Sequence, residues 1–477
     1  MSVYESYKDM PAYKYFERIC EIPHGSGNEK ALADYIEAFA KERGLYSYRD
    51  SFDNVFIRRE ASNGFESRPA VLLQGHIDMV CEKKPEVEFD FIKDGIRIKE
   101  KDGCLYADGT TLGADDGAAV AIMLAILDDK AFKAPTIECL FTTSEETSLV
   151  GATNFDYSKI SARRMINIDT ECEGEAVAGS AGGVRCRITR SLDREPISED
   201  KKCAKITLGG LKGGHSGTDI GLGRLSACVA MSKLLKLLGD KITLVSILGG
   251  NMDNAIARDC TAVVISTDTE SLKATASDFE AMLKAKAIDE DSGLFITVEE
   301  TKTVSEALTS DMSRATVALA NEINHGVYAM SRDMEGLVES SANLASFKES
   351  DGKLRITVSM RSSVAASLET MKESLAQKAE KYGFEVAFEG QYPGWQYAPE
   401  SPLIQIFKHS YKLLSGAEGR VVAIHAGLEC GVVKASVPDM DILSVGPTIN
   451  DAHTPNEHMD IGSFMRIDEL VRVMINE

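Results

Sequence analysis

Residues 136–151 read TIECLFTTSEETSLVG, an apolar run of strand character that ends in two adjacent glutamates, Glu145 and Glu146. No lysine or arginine lies within the segment to neutralise them. Successive side chains on a regular strand point to opposite faces, so both carboxylates reach one point only where the chain is already turning. In an open α/β sheet, sites form outside the carboxyl ends of the strands.

Working outward, the pattern up to about residue 187 alternates helix and strand. EKALADYIEAFAKERG (29–44) is amphipathic and closes on Gly44, a helix with a glycine stop. AVLLQG (70–75), IECLFTT (137–143) and RMINID (164–169) are short apolar runs of the kind that parallel strands buried on both faces show. Between them GAAVAIMLAILDD (117–129) is apolar almost all round, which predicts a buried helix. Alternation of this kind predicts a mostly parallel central sheet flanked by helices.

From about residue 188 the style changes to α+β. CAKITLGGL, RLSACVAMSKLLKLLG, KITLVSILGG, DCTAVVISTDT, SLKATASDFEAMLKAKAI and GLFITVEE read as β-α-β-β-α-β. A looser version follows over 311–390, and the two together read as a duplicated unit. After the turn-rich GQYPGWQYAPESP the helix-strand style of the first part returns. The expected domains are therefore 1–187 and 393–477, folding together, with 188–392 inserted between them.

At 477 residues the chain exceeds the size at which one hydrophobic core stops growing, in keeping with more than one domain. A net charge of −21 argues against nucleic acid or an anionic membrane as partner, since both select for basic patches. The start has no basic region followed by an apolar stretch, and no apolar run approaches the ~20 residues of a membrane span. Ten cysteines without regular spacing read as reduced thiols, and the chain is expected to be cytoplasmic.

Four strand-like runs end in potential metal ligands: His76 and Asp78, Glu145 and Glu146, Asp169, and a run from DILSVGP to His453. Asp115 and Asp116 precede the buried helix, where its N-terminal dipole favours carboxylates. Singly, each has a plain structural explanation, such as a helix cap or a solvated surface group. Together they place carboxylates at one sheet edge without balancing cations, where they would raise one another's pKa values. A bound cation resolves that, and a mixed imidazole and carboxylate set suits zinc, cobalt or manganese.

LLQGHIDMV, DGTTLGADDG, SEETSLVGA, INIDTE, GGHSGTDI and DAHTPNEHMDI occur in the order found in a family of metallopeptidases. This chain resembles that family, which includes aminoacylase, glutamate carboxypeptidase and di-zinc dipeptidases. HIDMVCEK and HAGLECGV are most similar to its aminoacyl-histidine dipeptidase (peptidase D) group. The resemblance implies a zinc-peptidase-like catalytic domain interrupted by a lid. It implies two zinc ions, for which cobalt or manganese substitutes, bridged by Asp115 and completed by His76 with Asp169 and by Glu146 with His453. Glu145 would be the general base, Asp78 would orient His76, and His215 from the lid would stabilise the oxyanion. Asn254, Arg361 and Gly427 would bind substrate, Arg361 by pairing with its terminal carboxylate.

The implied activity is hydrolysis of short unblocked dipeptides, Xaa-His or a broader set. The same site would serve an N-acyl amino acid amidohydrolase, and a non-catalytic metal-binding scaffold is the third reading. A homodimer through the lid is compatible with the resemblance, with His215 acting in cis or in trans. The sequence departs from the family at Ser144 and Ser148 around the glutamate pair, and in carrying alanine within NAIARD.

Overall fold

Val71–His76 is buried at every position, as a strand covered on both faces must be. In this computed structural model, which describes residues 7, 9–198, 201–266, 268–302 and 304–477, it is the centre of an eight-stranded sheet. The first six residues, read above for a leader, lie outside the described set. Val71–His76 pairs in parallel with Ile137–Thr142 on one side and with Arg164–Asn167 on the other. Asp441–Ser444 continues the parallel set beyond Arg164–Asn167. The edges depart from the expected pattern. Tyr46–Arg49 pairs antiparallel with Val55–Arg59, which pairs antiparallel with Ile137–Thr142. A five-residue connection permits a hairpin there but no crossover.

The helix Ala114–Asp128 is buried along its whole apolar length, as its sequence predicts. Its approach to the sheet depends on Gly75, because a Cβ there would lie 2.6 Å from Ala119 Cβ and 2.5 Å from Asp116 Oδ2. The first helix, Pro11–Cys20, and the last, Ile461–Asn476, meet through Phe16 and Phe464 in an edge-to-face pair at 5.9 Å. Both rings are fully buried, and truncating either to alanine costs about 3–5 kcal/mol. All ten cysteines are unbridged.

The chain divides into two compact units. One comprises Met1–Ser180, Trp395–Ala423 and Leu428–Glu477, the other Ala181–Gly394 and Ile424–Gly427. Residues 182–187, grouped above with the first part, open a strand of the second unit, Gly182–Ser191. That strand explains why the second repeat reads as a looser version of the first. The nine-stranded sheet of this unit runs, in strand order, Phe295–Thr301, Cys203–Gly209, Cys260–Ser266, Ile242–Gly249, Val338–Ser350, Lys353–Ser362, Gly182–Ser191, Glu385–Tyr392, with Gly326–Met330 paired to Val338–Ser350. The order is palindromic about the Gly249–Phe347 junction. Gly182–Ser191 thus holds in the second β-α-β-β-α-β copy the place that Cys203–Gly209 holds in the first, although it precedes the whole first copy in sequence.

On the sheet's helix-covered face Val184, Cys186, Ile188, Ile356 and Val358 join one apolar core with Leu234, Met312 and Leu375. The alternating positions of the same strands carry Arg185, Arg187, Arg355 and Arg361 on the other face.

Candidate metal centre

Because the central strands are parallel, their carboxyl ends lie at one edge, and the chemistry collects there. His76 is the last residue of its strand. Asp169 follows Arg164–Asn167 by two residues. Beyond Ile137–Thr142 the chain turns through Ser144, held in the left-handed region at φ 56°, into the single-turn helix Glu145–Ser148. This is the turn that the adjacent glutamates require, and a non-glycine residue in that conformation is a common form of strain at functional sites.

The Asp115 carboxylate lies between two imidazoles. Its Oδ1 is 3.1 Å from His76 Nε2 and its Oδ2 is 3.0 Å from His453 Nε2. His453 Nε2 is also 2.9 Å from Glu146 Oε1, and His76 Nε2 is 3.7 Å from Asp169 Oδ1. Ligand atoms of His76, Asp115 and Glu146 lie within 4.8 Å of one another, and so do those of His76, Asp116 and Asp169. Asp116 Oδ2 is already committed, accepting the His76 backbone N–H at 3.1 Å.

Supports for these groups come from both sequence-predicted and unpredicted residues. Asp78 accepts the backbone N–H of Glu145 at 2.9 Å and that of Glu146 at 3.3 Å. The His76 ring lies closer to the Asp78 main chain than to its carboxylate. Nδ1 is 3.0 Å from the Asp78 carbonyl oxygen and 3.5 Å from Oδ1. Sequence reading missed Glu457, which is buried and accepts the N–H groups of Leu112, Gly113 and Ala114 at 2.7–3.0 Å, with that of Asp115 at 3.4 Å. It also missed Glu429, fully buried and held by Gln74 at 2.5 Å and Thr142 at 2.6 Å. Both lie within quoted motifs, but a lone acid carries no periodic signal.

The electrostatics record an excess of negative charge. Burial, with the charges of Asp169, Glu429 and Glu146, raises the Glu145 carboxyl well above its usual range. Burial with the neighbouring Asp115 and Glu146 brings Asp169 up to about 6, and burial brings Glu429 up to about 7. The Asp115 and Glu146 carboxylates push His453 up to about 11. Burial alone would raise Asp115, but its two histidine contacts hold it below the ordinary carboxylate range. Glu146 Oε1 is buried without an aligned hydrogen-bond donor. Mutually repelling carboxylates gathered around two imidazole nitrogens are a donor set that fits divalent metal ions.

The remaining predicted residues lie in the inserted unit. His215 Nδ1 lies 3.2 Å from both the backbone nitrogen and the Oγ1 of Thr218. Burial and then Arg361 lower the His215 pKa, keeping the ring neutral. Arg361 Nη2 lies 3.4 Å from His215 Nε2, and Arg361 Nη1 donates to Tyr392 Oη at 2.8 Å. Asn254 lines a pocket with Arg361. The face that Gly427 leaves open is filled by the Tyr392 ring, 2.7 Å from where a Cβ would stand. The glycine makes room for the side chain that holds Arg361.

The model for peptidase family M20/M25/M40 matches residues 72–477. Cytosol non-specific dipeptidase of Escherichia coli (strain K12) is 33% identical over 481 residues, covering 100% of this chain and 99% of that protein. The crystal structure of aminoacylhistidine dipeptidase from Vibrio alginolyticus matches with a TM-score of 0.90 at 33% identity, covering 98% of this chain and 97% of that one. Aminopeptidase PepT from Bacillus cereus, at 16% identity and a TM-score of 0.55 over 98% of this chain and 97% of its own, shares the fold. The family resemblance read from the sequence motifs is borne out: this chain belongs to peptidase family M20/M25/M40.

Proposed function

We propose that this chain is a metal-dependent dipeptidase that hydrolyses the peptide bond of short unblocked dipeptides. One observation carries the reading. The Asp115 carboxylate is divided between His76 and His453, one oxygen to each at 3.1 and 3.0 Å, which is the disposition of a bridging ligand between two metal ions. Asp115 would bridge two zinc ions, His76 and Asp169 completing one shell and Glu146 and His453 the other, with cobalt or manganese able to substitute. When bound, such ions polarise the scissile carbonyl and acidify the attacking water.

Glu145 would handle the proton. Its carboxyl is held in a buried, negatively charged setting that raises its pKa, as a general base working near neutral pH needs. It takes the proton of the attacking water and later delivers it to the departing amine. By the family resemblance the His215 ring, acting in cis or in trans, would donate to the tetrahedral oxyanion. Arg361 takes the substrate's terminal carboxylate, and Asn254 holds its backbone. The names of the Escherichia coli and Vibrio relatives support a dipeptide substrate, and the first supports a cytoplasmic location. Among the described residues no helix is long and apolar enough to cross a membrane.

The test is amine release by zinc- or manganese-loaded protein on free dipeptides, including Xaa-His, beside tripeptides and N-acetyl amino acids. Cleavage of dipeptides, abolished by chelation, is expected. Cleavage of the N-acetyl series alone would transfer the site to an amidohydrolase, and no cleavage at all would leave a metal-binding scaffold.

A further inference from the structure

The polar face of the inserted sheet carries a concentration of positive charge of which the reaction described so far uses only Arg361. A pocket of ≈ 480 Å³ is lined by Arg185, Arg187, Lys348, Arg355, Arg361 and one acid, Asp253. In a chain with 74 acidic and 53 basic residues, five cations around one carboxylate is an inversion of the general balance.

Pairing within the chain leaves much of this charge unanswered. Arg187 is saturated, with two Nη contacts to Asp253 at 3.1 and 2.8 Å and Nε 3.3 Å from Glu389. Arg185 pairs with Asp253 through Nε, at 2.9 Å, and its terminal nitrogens make no hydrogen bond among the described residues. Lys348 donates only to the Asn251 carbonyl oxygen, at 3.3 Å. Arg355 has no hydrogen-bond or ion-pair partner among the described residues. Converging cations repel, and an anion between them removes the repulsion while gaining charge-assisted hydrogen bonds.

Strand register sets the spacing. Arg185 stands opposite Ser359, Arg187 opposite Thr357, and Lys348 opposite Arg355. Arg185 is thus one strand across and two residues along from Arg361, which places the two Cα atoms roughly 8 Å apart. Two arginine heads at that spacing can grip two carboxylates separated by a few carbon–carbon bonds.

We propose that this pocket is a subsite for the side-chain carboxylate of a substrate's C-terminal aspartate or glutamate. The inference rests on the reading that Arg361 takes the terminal carboxylate of a dipeptide. Arg185 makes the direct contact, while Lys348 and Arg355, further along the face, add to the attractive field and repel a cationic C-terminal side chain.

The experiment compares kcat/KM for Ala-Glu, Ala-Gln and Ala-Lys on the metal-loaded full-length protein. Ala-Glu is expected to exceed Ala-Gln by about 10- to 100-fold, the worth of a charge-assisted hydrogen bond. Arg185→Gln collapses that ratio towards one, mainly through KM for Ala-Glu, Arg185→Lys retains most of it, and Arg355→Gln lowers it partially. Ala-Gln cleaved as well as Ala-Glu by the unaltered protein, or a ratio indifferent to Arg185→Gln, overturns the subsite alone. Failure to cleave any of the three dipeptides overturns the dipeptidase reading and the subsite with it.

Discussion

The Asp78 carboxylate accepts the backbone N–H of Glu145 at 2.9 Å. Since the neighbouring N–H of Glu146 reaches its other oxygen, and the Asp78 carbonyl oxygen meets the His76 ring, one residue ties a histidine to the glutamate pair. Ser26 completes the arrangement by donating to Asp78 Oδ2 at 2.8 Å. Alanine at residue 78 keeps the carbonyl oxygen but removes the acceptor of both glutamate N–H groups, and is expected to disturb the candidate ligand Glu146 and the candidate base Glu145. Loss of such a supporting group typically costs 10- to 100-fold in metal affinity or activity. Metal titration and kinetics on Asp78→Ala check this, and an unchanged metal affinity with unchanged kcat would count against it.

Glu457 offers a test of the loop that carries Asp115. Its carboxylate is the acceptor for successive N–H groups at the start of the buried helix. Glu457→Ala leaves those donors unpaired and is expected to destabilise the fold by roughly 1–3 kcal/mol, since hydrogen bonds to charged groups are worth that much. Thermal denaturation of the metal-free protein should show a lowered Tm, and the metal-loaded protein a weakened metal affinity.

How far the sequence reaches can be judged from these residues. His76, Glu145, Glu146 and Asp169 are legible because parallel strands deliver their carboxyl ends to one edge, and short apolar runs mark where strands stop. The close approach of Asp115 to His453 joins residues 338 apart and is invisible to local pattern, so only the motif resemblance linked them. Glu457 and Glu429 escaped notice because a single acid in a loop looks like any solvated acid until its burial is known. The strand 182–191 escaped for a different reason: its sheet neighbours, 353–362 and 385–392, lie far along the chain.

The contact between Gly427 and Tyr392 predicts a substrate-binding defect. A methyl group at residue 427 would meet the Tyr392 ring at 2.7 Å and force it away from Arg361. Gly427→Ala should raise KM about tenfold or more with a smaller change in kcat, in line with the loss of a charge-assisted contact. Tyr392→Phe, which removes only the hydroxyl, should act in the same direction and more weakly.

Acid should weaken the inserted unit. Burial, followed by the charge of Lys233, lowers His325 to about 4, and burial, followed by Arg361, lowers His425 to about 4. Both rings are neutral in the folded chain, and His325 Nδ1 accepts the Leu344 N–H at 3.2 Å. In the unfolded chain each has an ordinary pKa near ~6.5, so between that value and about 4 the unfolded state binds more protons. Stability from these groups is full above pH ~6.5 and falls as the pH is lowered towards 4. Urea denaturation of the metal-free protein across this window should show the decline, and His325→Gln should flatten it.

The division of labour between Glu145 and Glu146 is the centre of the account, and one measurement on Glu145→Gln tests it most directly. Bound metal and dipeptide turnover are measured on the same preparation. The account predicts two equivalents of metal per chain, as in the unaltered protein, with kcat reduced by about 10²–10⁴ for loss of the positioned base. Retained turnover, or loss of metal together with activity, would contradict the assignment of proton transfer to Glu145 and metal binding to Glu146.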